Sequence, residues 1–288
     1  MPGMDLVISS TANPRVKYIA ALNTKRQRDA DGVMLIEGHD PLALALSCGI
    51  SPSTVFICPE LHKPAHSADA HEALLARARA SGAEIVSVTR LVFEKMAYRD
   101  GPDGWLALAA RPAFDLAGLS APPPGSRGGG AGSPALLLVA EQVEKPGNLG
   151  AMLRTCDAAG VNGFVTVDPV ADLSNPNVVR ASQGALFSVP VAQCTQMEAL
   201  SWLRARGIAI VATTPNDIGG RPPLEYTAFD FTKPCAILMG EEKYGLSEFW
   251  LRNADAAVRI PMTGRINSLN VATSAALVIY EALRQRRA

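Results

Sequence analysis

The chain has 288 residues, 48% apolar and 19% charged, with 27 basic residues balanced by 27 acidic ones. This excludes a disordered polyelectrolyte and a chain-wide basic field, so any nucleic-acid surface must be a local patch. No apolar run approaches the ~20 residues of a membrane span, the start lacks the pattern of a secretory signal, and five cysteines without a C-x-x-C pair fit a reducing cytoplasm better than a disulfide framework or zinc site.

Along the N-terminal part, Pro14–Leu22 reads as a helix, Val33–Glu37 as a strand and Asp40–Cys48 as a helix. Thr54–Cys58 follows as a strand, Ala70–Ala80 as a helix, and Glu84–Val88 and Trp105–Ala110 as strands. Alternation of this kind predicts a small layered α/β unit. Residues 6–28 carry Arg15, Lys17, Lys25, Arg26 and Arg28 without an acid. Such a run is either a solvated helix face or a phosphate-binding patch. His62, His66 and His71 invite a metal reading, but no thiol or carboxylate accompanies them at ligand spacing, so a surface loop and no metal are expected. Residues 121–134, APPPGSRGGGAGSP, predict a linker between domains at 1–120 and 135–288.

The C-terminal part alternates more clearly. Ala135–Ala140 is a continuous apolar strand of the kind buried in a parallel sheet, and a helix over Leu149–Ala159 ends on Gly160. Strands are expected at Phe164–Val167, Ile208–Ala212, Cys235–Met239 and Ala257–Ile260. Helices are expected at Val178–Ala185, Met197–Arg206 and from Ser247 through Asn253, and a last helix from Asn267 or Ser268 onward. The pattern is doubly wound, with its ligand loops at the strand ends.

Three of those loops hold unusual polar residues. The run NLGAMLRT from Asn148 includes Gly150 and Arg154, for which an ion pair with Asp157 is the plain alternative. Gly147 and Asp168 would suit a dinucleotide turn, but G-x-G-x-x-G is absent. GEEKYGLS from Gly240 places two adjacent carboxylates, Glu241 and Glu242, between glycines. IPMTGRINSLNV from Ile260 leads into an apolar helix, where Ser268 or Asn267 could cap and Asn270 would occupy the first turn at a cost in helix propensity.

Taken together, the three loops resemble motifs 1, 2 and 3 of the SpoU (TrmH) family of the SPOUT superfamily, which are RNA ribose 2'-O-methyltransferases using S-adenosyl-L-methionine. VRASQGALF from Val179 resembles a fourth segment of that family. Asn13 to Lys17, with Arg28, Gly32, Glu37 and Gly38, is similar to the family's RNA-binding substrate domain, although Met34 stands where an aromatic is common. The resemblance spans both halves of the chain.

It implies an α/β SPOUT fold with a deep trefoil knot, preceded by a smaller α/β RNA-binding domain, and a homodimer formed through the C-terminal domain. It also implies a ribose acceptor, with rRNA favoured over tRNA, and no metal. Arg154, Asn148, Glu242, Ser268 and Asn270 would be catalytic, with Glu242 orienting Arg154. Gly240, Ile260, Leu269, Met239 and Thr213 would contact the cofactor, and Arg15, Lys25, Arg26 and Arg28 the RNA. Because arginine stays protonated, Arg154 is expected to stabilise an alkoxide and clamp a phosphate, with base action requiring a much perturbed site. A non-catalytic RNA-binding protein and a nucleotide-dependent oxidoreductase are the competing classes. The second leaves two of the loops unexplained.

Overall fold

The computed structural model describes residues 7–120 and 134–287, so the expected linker lies outside the described residues apart from Pro134. The chain divides into two compact units that are not sequential: Met1–Pro112 with Asp172–Ser188, and Ala113–Ala171 with Val189–Ala288. The expected boundaries at 120 and 135 therefore cut across both. The main-chain N–H of Gln193 donates to the Phe114 carbonyl at 3.0 Å, and Leu116 and Leu119 pack on the second unit's core. These contacts place residues 113–120 with the second unit.

The first unit is a five-stranded mixed sheet. Its strands are β1 (Val7–Ile8), β2 (Val33–Glu37), β3 (Thr54–Ile57), β4 (Glu84–Val88) and β5 (Trp105–Ala110), in the order β1-β4-β3-β5-β2. Their apolar residues meet Val16, Ile19, Val92 and Phe93 in one core. The segment Asp172–Ser188 completes this unit. Asn175 caps the helix Pro176–Ala181, its side chain accepting from the Asn177 N–H at 2.8 Å, and that helix packs on β2. The helix expected over Val178–Ala185 breaks at residues 182–184 and resumes at Ala185–Ser188. Gly184 takes φ +87°, and a Cβ there would stand 3.0 Å from Pro41 Cα. Both requirements select glycine.

The second unit is a seven-stranded parallel sheet. It comprises β6 (Leu136–Glu141), β7 (Gly163–Val167), β8 (Val191–Cys194), β9 (Ala209–Thr213), β10 (Leu224–Glu225), β11 (Cys235–Met239) and β12 (Ala256–Arg259). Their order is β10-β12-β9-β11-β6-β7-β8, and every pairing is parallel. The central strands β6 and β11 are buried throughout, as continuous apolar runs require when helices cover both faces. The molecule is thus mixed α/β with a parallel sheet. The helix Pro146–Ala159 begins with proline at N1 and ends on Gly160 in the left-handed region, and the last helix, Val271–Arg287, packs against it.

Candidate active site

The site forms where β6, β9, β11 and β12 end. After β11 the chain makes a tight turn: the Glu241 N–H donates to the Gly245 carbonyl at 3.1 Å, and the Gly245 N–H to the Glu241 carbonyl at 2.9 Å. A Cβ on Gly240 would overlap the Gly245 carbonyl and the Leu246 amide, so the strand can enter this turn only through glycine. The buried carboxylate of Glu141, at the end of β6, accepts the Ser247 N–H at 2.9 Å. That bond ties the turn after β11 to the mouth of β6.

A hydrogen-bonded chain then joins the three loops. Asn148 Nδ2 donates to Glu242 Oε1 at 2.6 Å, and Asn270 Nδ2 donates to Asn148 Oδ1 at 3.1 Å. Asn270 Oδ1 accepts the N–H groups of Ala272 and Thr273 at 2.9 and 3.2 Å. Asn270 is therefore the cap of the last helix, which starts at Val271. The expected start at Asn267 or Ser268, with Asn270 inside the first turn, is corrected: a short side chain that can reach orphan N–H groups belongs outside the helix. Asn148 is pinned from both sides, by a carboxylate that can only accept and an amide oriented by its own cap.

Glu242 holds Asn148 and not Arg154. Arg154 is exposed, six residues further along the helix from Asn148 and about 9 Å away along its axis. Among the described residues no ion pair or hydrogen bond engages its guanidinium. Ser268 is exposed and outside this chain of hydrogen bonds. Ile260, Leu269 and Gly240 are half-buried, and Met239 is buried at the end of β11. Thr213, at the end of β9, has a buried hydroxyl with no partner among the described residues, and so do Glu242 Oε2 and the Ser247 hydroxyl. Three orphaned oxygens near one rim mark a place that takes polar ligand groups.

Two residues here escaped the sequence reading. Glu141 had a signal, a carboxylate closing an apolar strand. Gln142, at φ +49°, had none, because left-handed glutamine cannot be anticipated from its type. Asp168, the dinucleotide candidate, accepts the Gln196 N–H at 3.3 Å as a strand-end turn residue.

In the first unit, the basic stretch separates into unlike parts. Arg28 is not an RNA-facing residue: its guanidinium is 1% exposed, donating to Asp172 Oδ2 at 2.6 Å and to the Leu22 carbonyl at 2.7 Å. Helix periodicity turned it inward while Lys25 and Arg26 stayed exposed. Arg15 pairs with Glu84 at 2.7 Å, and Lys25 approaches Asp29 at 3.8 Å, both on the surface.

Comparison with known proteins divides the chain sequentially, with residues 172–188 inside the C-terminal match. The model of the SpoU rRNA Methylase family matches residues 135–280, and that of the MRM3-like substrate binding domain matches residues 13–107. A 23S rRNA (uridine(2479)-2'-O)-methyltransferase of Streptomyces viridochromogenes is 31% identical over 276 residues, covering 94% of this chain and 89% of the relative. The crystal structure of an AdoMet-bound rRNA methyltransferase from Sinorhizobium meliloti superposes with a TM-score of 0.81 at 30% identity over 98% of each chain. A tRNA (guanosine(18)-2'-O)-methyltransferase of Thermus thermophilus is 40% identical, but over 154 residues, 53% of this chain and 76% of the relative. With the family match covering half its length and a relative above 30% identity aligning nearly end to end, the chain belongs to the SpoU rRNA methylase family.

Proposed function

We propose that this protein transfers a methyl group from S-adenosylmethionine to a ribose 2'-hydroxyl in RNA, with large-subunit rRNA as the substrate class. The observation that carries the reading is the Glu242–Asn148–Asn270 chain across three loops, with Asn148 on the same helix as an exposed arginine with no partner among the described residues. A non-catalytic binding protein would have no use for that arrangement. Ribosomal RNA is favoured over tRNA because the rRNA relative aligns along both units, whereas the tRNA relative aligns over about half the chain.

The residues present fit the cofactor. The unpartnered Thr213 hydroxyl offers a polar contact at the rim, the glycine turn at Gly240 brings main chain close, and Met239, Ile260 and Leu269 supply apolar walls. When bound, S-adenosylmethionine supplies an electrophilic methyl. As the methyl passes to the ribose oxygen, the hydroxyl proton would go to water and S-adenosylhomocysteine would leave, so what this chain's own residues supply is positioning and charge stabilisation. The Arg154 guanidinium, a planar cation with donors on a fork, meets the charge that develops on the ribose oxygen and holds the adjacent phosphate. Asn148, fixed by Glu242 and Asn270, presents its amide to the ribose or to Arg154. Ser268 contacts the substrate from the third loop.

Arg15, Lys25 and Arg26 supply phosphate contacts in the substrate-binding unit. We further place the protein in the cytoplasm, and infer a trefoil knot and a homodimer. The knot is supported by the path of the chain: β11 lies between β9 and β6, yet after β12, beyond β9, the chain returns so that Asn270 meets Asn148. The dimer is supported by Leu277 and Tyr280, exposed on the last helix, with Leu283 and Arg284 along the same side. Ile279, on the same helix, is buried in its own unit and takes no part in that surface. Mapping 2'-O-methyl groups in the RNA of a deletion strain tests the assignment. A lost rRNA methyl that returns on complementation supports it, a lost tRNA methyl moves the substrate class, and an unchanged map removes it.

A further inference from the structure

All four histidines of the chain gather in one cluster in the first unit, although they span residues 39–71. The His39 and His66 rings stack with centroids 3.8 Å apart, His62 and His71 stack at 4.0 Å, and His39 meets His71 edge-on at 5.2 Å. Trp105 lies parallel to His62 at 5.3 Å, and its Nε1–H donates to His71 Nδ1 at 3.1 Å, which puts the His71 proton on Nε2. Asp40 enters this cluster: its Oδ1 lies 3.0 Å from His39 Nδ1 and 3.4 Å from His66 Nε2. The sequence reading found no carboxylate among the histidines because Asp40 arrives from the helix after β2, more than twenty residues away in the chain.

We propose that His39, Asp40 and His66 bind one divalent transition-metal ion of the zinc class, with water completing the coordination. Two imidazole nitrogens and a carboxylate oxygen are a donor set that such ions prefer and that magnesium and calcium do not. One ligand atom from each residue already lies within 4.8 Å of the others. Tetrahedral coordination at zinc distances sets neighbouring donors about 3.3 Å apart, close to the two separations that Asp40 makes. Binding splays the stacked His39 and His66 rings so that their lone pairs converge.

His39 is already held for this role: its side chain is 9% exposed, and Nδ1 is the nitrogen that faces Asp40. Asp40, by contrast, is well exposed and leaves an entry path. The ion would join the loop carrying His66 to the start of the helix His39–Ser47 in the substrate-binding unit.

The test uses the full chain without an affinity tag, stripped with chelator and titrated with Co(II) and then Zn(II). One Co(II) per chain should bind and give the visible absorption of a tetrahedral N/O site, Zn(II) should displace it, and saturation should raise the Tm. His66→Gln and Asp40→Asn alter half-exposed or exposed side chains, so both variants should fold, and each should weaken Zn(II) binding at least about tenfold. Absence of saturable binding, or equal affinity in the native chain and both variants, would overturn the proposal and leave the cluster as stacked aromatic packing on Trp105.

Discussion

Arg154 has no charge partner among the described residues, and that makes it the sharpest probe of the proposed site. Arg154→Ala should leave S-adenosylmethionine binding near normal by calorimetry, since the cofactor walls lie on the other loops. The single-turnover rate should fall about a hundredfold to a thousandfold, the usual loss on removing one preorganised donor. Arg154→Lys should recover little, because a point charge cannot fork between ribose and phosphate. Glu242→Ala strips Asn148 of its acceptor and should cause a milder loss that Glu242→Gln largely repairs, because the amide oxygen can still accept at the same 2.6 Å contact. Equal rates in all four variants and the native chain would remove the site. The identities of Arg154, Glu242 and Asn270 were legible in the sequence as polar groups in odd places. That Glu242 serves Asn148 was not, because the two are 94 residues apart and local spacing says nothing of which side chain meets which.

Among the elements, the long apolar strands β6 and β11 and the helix stop at Gly160 were legible because each is written in adjacent residues. The helix Lys25–Asp31 was not, for its sequence KRQRDAD has no apolar face, and it is defined by the left-handed Gly32 and the inward Arg28. The edge strand Val191–Cys194 was missed for the same reason, with Gln193 and Cys194 giving it no clean alternation. This division of the basic stretch has a measurable outcome. Arg28→Ala strands Asp172 in a buried place and should cost about 3–5 kcal/mol in urea unfolding while leaving the salt dependence of RNA binding alone. Lys25→Ala with Arg26→Ala should do the reverse, holding stability and flattening the salt slope by up to about two phosphate contacts. Asn270→Ala removes the cap of the last helix, a loss of about 1 kcal/mol, and also unpins Asn148, so stability and turnover should fall together.

For the molecule as a whole, sedimentation of the full chain at micromolar concentration should give a dimer. Tyr280→Glu on the exposed helix side should give a monomer that keeps its circular dichroism. A native monomer would remove the dimer. Stability should also depend on pH through the histidine cluster. His62 is depressed from 6.5 to about 4 by burial, so between those values the unfolded chain binds the proton and the folded chain does not. The stabilisation is complete above about pH 6.5 and is lost as the pH falls toward 4. Burial raises Glu37 from its usual value, so its contribution runs the other way, being lost as the pH rises above 4.5. Tm measured across pH 4–7.5 should therefore drop on acidification, and His62→Gln should flatten the drop. An identical profile in that variant would assign it elsewhere.

The return of Asp172–Ser188 to the first unit sets an order of events during synthesis. At about 5–20 residues per second, the 76 residues from 112 to 188 take the ribosome roughly 4–15 s. For that interval the nascent first unit has every strand of its sheet but lacks the helix that covers β2, and Arg28 has no Asp172 to meet. The wait is long compared with sheet formation, so the exposed face of β2 is the place where a chaperone, or another nascent chain, would find this protein before it has finished being made.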